Sequence, residues 1–133
     1  MTHEEAEPDG LASLLGGLIE QNLEREPARA RYLKPAVVSI EARGAGVGAT
    51  LRFSRRSVSI SGQIARGADV SVIADPNDLL ALTAAPLRSG FPDPLRSEGR
   101  AVLAAIGSGR VRVRGLFGHP LLVRRLILLL SVA

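Results

Sequence analysis

Apolar residues near the start of the chain recur at the spacing of an α-helix. They lie three and four positions apart, while Glu20, Gln21 and Glu24 fall on the opposite side, which predicts an amphipathic helix. Gly16 and Gly17 each cost such a helix about 1 kcal/mol relative to alanine, so tertiary packing has to stabilise it. The apolar stripe consists of Leu11, Leu14, Leu15, Leu18, Ile19 and Leu23.

After Pro35 the apolar period falls to two, which is typical of strands with one solvated face. Apolar residues alternate with serine, glutamate and arginine around residues 38–42, 51–53 and 58–60. The short connections between these segments predict an antiparallel meander. A fourth strand is predicted at residues 68–74.

Two further helices are predicted in the middle of the chain. Asp75 is a candidate N-cap for a leucine-rich helix, because it precedes Pro76 and an apolar run. Asp93 is a candidate cap for a second helix, which ends at Gly107. The loop between the two helices contains Phe91.

The last quarter of the chain predicts a strand and a closing helix. Val111 and Val113 face inward in a fifth strand at residues 110–114, and three arginines face outward. The final helix is apolar on nearly every side apart from Arg124 and Arg125. A helix of this kind must be enclosed or must line something apolar.

Length and composition set limits on the class of protein. We predict a disordered acidic tail at residues 1–8 and a single domain over 9–133. The absence of cysteine excludes disulfides, thiolate metal sites and a cysteine nucleophile. The start lacks the features of a secretory signal, and residues 121–132 would span about 20 Å as a helix, against about 30 Å for a bilayer core. These features predict a cytoplasmic protein.

The net charge of +4 is carried almost entirely by arginine, since Lys34 is the only lysine. This balance allows anionic partners such as lipid head groups or nucleic acid. Aromatic residues make up only 3% of the chain, and no zinc-knuckle, helix-turn-helix or ribonucleoprotein motif is present. Nucleic acid is therefore not expected as a partner.

No catalytic or cofactor site is predicted. His3 lies in the acidic tail and His119 precedes Pro120 at a helix start, so neither belongs to a recognisable nucleophile–base or acid–base pair, and no hydrolase, zinc-protease or P-loop motif occurs. Gly44, Gly46 and Gly48 match the start of a dinucleotide-binding motif, but they lie between two predicted strands, where no helix N-terminus can hold a pyrophosphate. We therefore expect no catalytic residue, no cofactor and no metal.

The order of elements in the second half of the chain carries a family resemblance. Residues 68–75, ADVSVIAD, lead into the leucine-rich segment 79–82. The glycine-bracketed basic segment 108–115, SGRVRVRG, and a leucine-rich terminal helix follow. This succession resembles the sterol carrier protein type two family over residues 68–133.

The resemblance implies an α+β fold with about five strands in a largely antiparallel, mixed sheet and with helices packed on one face around an apolar cavity. In that family the cavity is a tunnel that holds an acyl chain, a sterol or a similar molecule, and the terminal helix covers it. Here segment 84–107 is longer than the usual connection, and the tryptophan often found in the early strands is absent.

The candidate ligand-binding residues are apolar, and each of them alone is better explained as an ordinary core residue. A chain this small, however, has more apolar helical faces than one sheet face can cover, so a ligand, a membrane or a partner must cover the excess. The candidate lipid-binding residues are Leu79, Leu82, Phe91, Leu103, Leu116, Phe117, Leu121, Leu122, Leu126 and Leu129.

Arg124 and Arg125 are candidate contacts with lipid head groups or an anionic membrane surface. A simpler explanation is that arginines on a solvated face keep the protein soluble. That explanation applies equally to Arg110, Arg112 and Arg114.

The sequence thus predicts a non-enzymatic protein that binds or transfers a lipid-like apolar ligand, such as an acyl chain, a sterol or an isoprenoid, in a tunnel between sheet and helices. The alternative is an accessory module. Its apolar C-terminal helix would form a homodimer or dock on a lipid- or quinone-biosynthesis enzyme.

Overall fold

A mixed six-stranded sheet forms the framework of the computed structural model, which describes residues 2–5 (backbone), 10–44, 47–88, 90–115 and 118–132. The strands lie in the order β1-β4-β3-β2-β5-β8, and β6 and β7 form a separate two-stranded ribbon. The strands are β1 (Thr2–Glu5), β2 (Ala36–Ala42), β3 (Val47–Phe53), β4 (Val58–Ser61), β5 (Val70–Ala74), β6 (Leu87–Arg88), β7 (Phe91–Pro92) and β8 (Arg112–Arg114).

The predicted meander is present. Strands β2, β3 and β4 pair antiparallel in succession, with Val38 opposite Leu51 and Leu51 opposite Ile60. Strand β5 returns beside β2 in parallel, and β8 pairs antiparallel with β5. The predicted α+β class and the largely antiparallel, mixed sheet of five strands are therefore confirmed.

The sixth strand corrects the prediction for the N-terminus. Residues 2–5 were expected to lie in a disordered acidic tail, but they form β1 and pair in parallel with β4, Thr2 opposite Val58. The pairing satisfies backbone groups along β4 that an edge strand would leave open. Charge composition does not reveal such a pairing, because it depends on the backbone of a distant segment.

Within the described ranges, four α-helices and one 3-10 helix accompany the sheet, and the core lies between the helices and the inner sheet face. The Asp75 carboxylate makes no capping hydrogen bond, although Asp75 does precede α2 as predicted. The helices are α1 (Gly10–Arg25), the 3-10 helix (Pro27–Tyr32), α2 (Pro76–Ala84), α3 (Ser97–Gly107) and α4 (Pro120–Leu130).

The two sheet faces differ in chemistry, as the period of two predicts. Valine, isoleucine, leucine and alanine of the central strands are buried on the inner face, whereas the other face carries serine, threonine and arginine. Segment 62–69 connects β4 to β5 across this polar face, where the Thr50 hydroxyl accepts a hydrogen bond from the Ala65 N–H at 2.8 Å. Ile64 lies over Gly48, so a side chain at position 48 would collide with it.

The long segment between α2 and α3 contains the β6–β7 hairpin, which periodicity did not predict. Gly90 turns this hairpin with a positive φ of 84°. Helix α3 begins at Ser97, and the Asp93 carboxylate accepts a hydrogen bond from Leu95 N–H at 2.9 Å in the preceding turn. The predicted Asp93 cap is therefore wrong, since that carboxylate stabilises the turn before the helix.

Helix length also bears on membrane insertion. Among the described residues, no helix combines the length and the apolar character needed to cross a bilayer.

Candidate functional site

A cavity of about 250 Å³ lies between the inner sheet face and all four α-helices. The sheet contributes inward residues of β2, β5 and β8, and the β6–β7 hairpin contributes its last strand. Every lining side chain is apolar except Thr83. The lining is Leu15, Ile40, Val72, Leu79, Leu82, Thr83, Phe91, Pro92, Leu103, Ile106, Val113, Val123, Leu126, Ile127 and Leu130.

A second cavity of about 220 Å³ adjoins the first between α1, α2 and the β2–β3 end of the sheet. The two cavities share Leu15, Leu79 and Thr83 as a common wall. The rest of the second lining is Gly10, Leu11, Leu14, Leu18, Ala42, Val47, Pro76 and Leu80.

Each cavity has large apolar side chains that reach solvent. In the first cavity Phe91 is 36% exposed and Leu103 is 38% exposed. In the second, Leu14 is 48% exposed and Leu80 is 51% exposed. These residues mark an opening of each cavity to the surface.

The structure brings five of the ten predicted ligand-binding residues to the first cavity. They come from α2, the hairpin, α3 and α4, so sequence order alone does not connect them. These five are Leu79, Leu82, Phe91, Leu103 and Leu126.

Of the other five, the three that lie among the described residues line neither cavity. Leu122 and Leu129 lie on the side of α4 that packs into the core, and both are buried. Leu121 is 67% exposed on the outer side of α4. Leu116 and Phe117 lie outside the described residues. Helical rotation explains the difference, because the side of α4 that bears Val123, Leu126, Ile127 and Leu130 is the one that meets the cavity.

The sequence did not identify the cavity-lining residues that the sheet contributes. Ile40, Val72 and Val113 occupy inward strand positions that alternation identifies correctly. An inward position can meet either a packed side chain or an empty space, however, and the period of two is the same in both cases. No local signal could have separated these residues from ordinary core.

Polar contacts hold the end of α4 in place beside the cavity. The Arg29 guanidinium donates to the carbonyls of Leu128 at 3.0 Å and Ser131 at 2.7 Å. The Val132 N–H donates to the Thr83 carbonyl at 2.8 Å, which joins the end of α4 to α2. The cavity wall that α4 supplies is thereby fixed in position.

Arg124 and Arg125 lie on different sides of α4. The Arg124 side chain covers Gly90 of the hairpin, so Arg124 lies close to the opening that Phe91 marks. Arg125 is half-buried, and its Nε has no hydrogen-bond partner within the described part of the chain. The structure thus associates Arg124, but not Arg125, with the surroundings of the first opening.

The cavity linings contain no titratable side chain among the described residues. The Thr83 hydroxyl donates to the Leu80 carbonyl at 2.8 Å, so its proton is engaged. No group of three or more metal-ligating side chains occurs in the described ranges. The arrangement is suited to enclosing hydrocarbon.

Among the described residues, two carboxyls have displaced pKa values, and both lie away from the cavities. The pKa of Glu26 is lowered by a hydrogen bond from Arg29 and by the charge of that guanidinium. The pKa of Glu98 is lowered by its own backbone N–H and by the Ser97 hydroxyl at the start of α3. These shifts stabilise local structure and do not create an acid or a base in the site.

Comparison with known proteins identifies solved structures that are similar to this chain. A structure described as "UbiJ-SCP2 Ubiquinone synthesis protein" is 28% identical, with a TM-score of 0.58, and the match covers 92% of this chain and 87% of that one. A conserved hypothetical protein from Thermus thermophilus, described as possibly a sterol carrier protein, is 12% identical with a TM-score of 0.45, over 98% of this chain and 96% of its own. That second score is too low to support a conclusion. No protein-family model matches the chain, and no curated protein matches it significantly.

Proposed function

We propose that this chain, a domain similar to sterol carrier protein type two, binds or transfers a lipid-like apolar molecule in the cavity between its sheet and its helices. The observation that carries the proposal is the lining of the first cavity, which is apolar on every side apart from Thr83. Concave, mostly apolar sites are where small apolar ligands bind. The proposed role is non-enzymatic.

The energetics allow binding without a polar anchor. A sixteen-carbon chain would gain about 12 kcal/mol on burial, at about 0.8 kcal/mol per CH₂. Immobilisation costs several kcal/mol of this gain, which leaves room for a micromolar or tighter complex. Acyl chains, sterols and isoprenoids are the ligand classes that fit this description. The name of the ubiquinone synthesis protein supports the isoprenoid class in particular.

Arg124 is the proposed contact for an anionic head group or membrane surface at the first opening. Its side chain lies over Gly90, next to Phe91 in the chain, so a ligand head group that emerges there would meet a positive charge. Arg125, which lies on another side of α4, is included in the proposal as a second basic residue of the same helix. Replacing both by glutamate should weaken sedimentation with anionic vesicles, and unchanged sedimentation would refute the membrane contact.

A second candidate function is an accessory module that docks through α4, either on a second copy or on a lipid- or quinone-biosynthesis enzyme. Leu121 favours it, because this large apolar side chain is exposed on the outer side of α4. The other apolar sides of α4 are occupied by core and cavity, so the docking surface would centre on Leu121 and the adjacent arginines.

Organic extraction of freshly purified protein, followed by mass spectrometry, tests the first proposal. A co-purified apolar molecule in a stoichiometric amount is the expected result. A dimeric protein that releases no lipid and takes up no fluorescent fatty acid would favour the docking function instead.

A pair of tryptophan substitutions tests whether the ligand binds in the first cavity. Leu82→Trp places a large ring in the first cavity and should weaken fatty-acid binding at least about tenfold, since buried hydrocarbon contacts are lost. Leu121→Trp adds the same ring on the exposed side of α4 and should leave fatty-acid affinity unchanged. Equal affinities for the two variants would contradict binding in this cavity.

A further inference from the structure

The linings of both cavities are apolar apart from one side chain. Among the described residues that surround them, only Thr83 carries a polar side-chain group, and it lines both spaces. A polar atom of a bound molecule can therefore pair with a lining side chain only at the Thr83 hydroxyl. Buried polar atoms need a hydrogen-bond partner, so this hydroxyl influences which polar groups the interior accepts.

The proton of that hydroxyl is already engaged. Thr83 Oγ1 donates to the carbonyl of Leu80, three residues earlier in α2, at 2.8 Å. A hydroxyl has one proton to donate and two lone pairs that accept. Because the backbone carbonyl holds the proton, Thr83 offers a ligand an acceptor and no donor.

The bond to Leu80 also indicates the side of α2 on which the hydroxyl lies. Leu82 lines only the first cavity, whereas Leu80 lines only the second and is exposed at its opening. Residues three apart are neighbours on a helix surface, so the Thr83 hydroxyl is turned towards the Leu80 side of α2. The acceptor thus lies at the second cavity, near its opening.

The first opening has the opposite hydrogen-bonding chemistry. Arg124 lies beside it, with its side chain over Gly90, and a guanidinium donates hydrogen bonds but accepts none. A carboxylate or a phosphate therefore matches Arg124, whereas a ligand hydroxyl that donates its proton matches Thr83. The two cavities favour different polar groups on a bound molecule.

We infer that Thr83 is a specificity-determining residue whose Oγ1 accepts a hydrogen bond from the hydroxyl of an apolar ligand in the second cavity. This inference rests on the proposed apolar-ligand function and adds a polar preference to it: an alcohol or a phenol is favoured over the ether, ester or ketone of similar size. The oxygen of an ether or a ketone would face the Thr83 oxygen, acceptor against acceptor, and would lose its hydrogen bonds to water without replacement.

The test compares hexadecanol with hexadecyl methyl ether as competitors of a bound hydrocarbon probe, diphenylhexatriene. Thr83→Val keeps a branched side chain and removes the acceptor. The ratio of alcohol affinity to ether affinity should therefore fall by about threefold to tenfold relative to wild type, the range that corresponds to one neutral hydrogen bond. Comparing ratios cancels the different solubilities of the two competitors. Thr83→Ser keeps the hydroxyl and should retain the wild-type ratio within about twofold.

Ser108→Ala is the matched control. The Ser108 hydroxyl donates to the Ala105 carbonyl, also three residues earlier, at 3.2 Å, but Ser108 lines neither cavity. This variant should keep both wild-type affinities. Circular dichroism and thermal melting establish that each variant is folded, and if Thr83→Val is not, Thr83→Ala is the second variant without the hydroxyl and should show the same fall in the ratio.

The outcomes separate this inference from the proposed function. An alcohol-to-ether ratio that is equal in wild type and in the variant without the hydroxyl, with both competitors bound, would overturn the inference and keep the apolar-ligand function. A ratio that falls just as far in Thr83→Ser would also overturn it, because the hydroxyl would then not be the group that is recognised. Wild-type protein that binds neither the probe nor either competitor would overturn the proposed function together with the inference.

Discussion

Asn22 Nδ2 donates a hydrogen bond of 2.8 Å to the carbonyl of Leu129, which joins α1 to the last turn of α4 across 107 residues of sequence. The last four carbonyls of a helix have no partner within it, so this bond satisfies a buried acceptor. Arg29 does the same for Leu128 and Ser131. The helix that supplies much of the cavity wall is therefore held at its C-terminal end by polar side chains.

Replacing Asn22 by leucine should destabilise the protein by about 1–3 kcal/mol, because the Leu129 carbonyl stays buried and loses this donor. The two side chains are similar in size, so the change tests the hydrogen bond more than the packing. Urea denaturation measures the free energy of unfolding. Gln21→Leu is the control, since Gln21 is an exposed residue beside it on α1, and it should change stability by less than about 0.5 kcal/mol.

Replacing Arg29 by leucine should cost about 2–4 kcal/mol, since two carbonyls lose a charged donor and Glu26 loses its partner. Arg31→Leu is the matched control, because Arg31 is exposed on the same 3-10 helix. A thermal midpoint for Arg29→Leu equal to that of the control would contradict the assigned role of Arg29 at the end of α4.

The ionisation of Glu26 should make the free energy of unfolding depend slightly on pH in the acid range. Arg29 lowers the pKa of Glu26 below 4.5 by a hydrogen bond and by its charge, so the folded state favours the ionised carboxylate. The resulting stabilisation is fully present above the unfolded-state pKa and is lost as the pH falls through the lowered folded-state pKa. The difference in melting temperature between wild type and Glu26→Gln should therefore be present at neutral pH and disappear as the pH falls through the lowered pKa of Glu26. A difference that persists unchanged at the acid end would contradict this account.

Two glycines in helices should respond in opposite directions to alanine. A Cβ at Gly99 would collide with the backbone of Asp93, where the turn before α3 packs on the helix, so Gly99→Ala should destabilise by about 1–3 kcal/mol. A Cβ at Gly17 meets nothing within 4 Å, so Gly17→Ala should stabilise α1 by about 1 kcal/mol. Denaturant titrations of both variants check the signs, and equal effects would contradict the packing at Gly99.

Much of the fold could be predicted from local periods in the sequence. The alternation in β2, β3 and β4 and the stripe on α1 reflect which side chains face the core, and those periods follow from strand and helix geometry alone. The β6–β7 hairpin could not be found this way, because each of its strands has two residues and shows no period. The β1 strand was also missed, because its pairing with β4 is a long-range contact.

For a related reason, only about half of the predicted ligand-binding residues line the cavity. Leu79 and Leu126 belong to apolar helical stripes that the sequence displays, and they do line the cavity. Leu122 and Leu129 belong to the same terminal helix but turn into the core. The sequence shows that α4 is apolar on several sides. Which side packs into the core and which side lines the cavity depends on how α4 is rotated about its axis relative to the sheet.

Local patterns along the chain were enough to predict the α+β class, the succession of the five central strands and the helices, and an excess of apolar helical surface. The tertiary structure alone decided where that excess lies: at two adjoining cavities that share Leu15 and Leu79, with the end of α4 held by Asn22 and Arg29. The two kinds of feature differ in the distance along the chain between the residues that produce them. Hydrophobic periodicity is set by neighbouring residues on one element, whereas a cavity and a buried hydrogen bond exist only between elements that are distant in the chain.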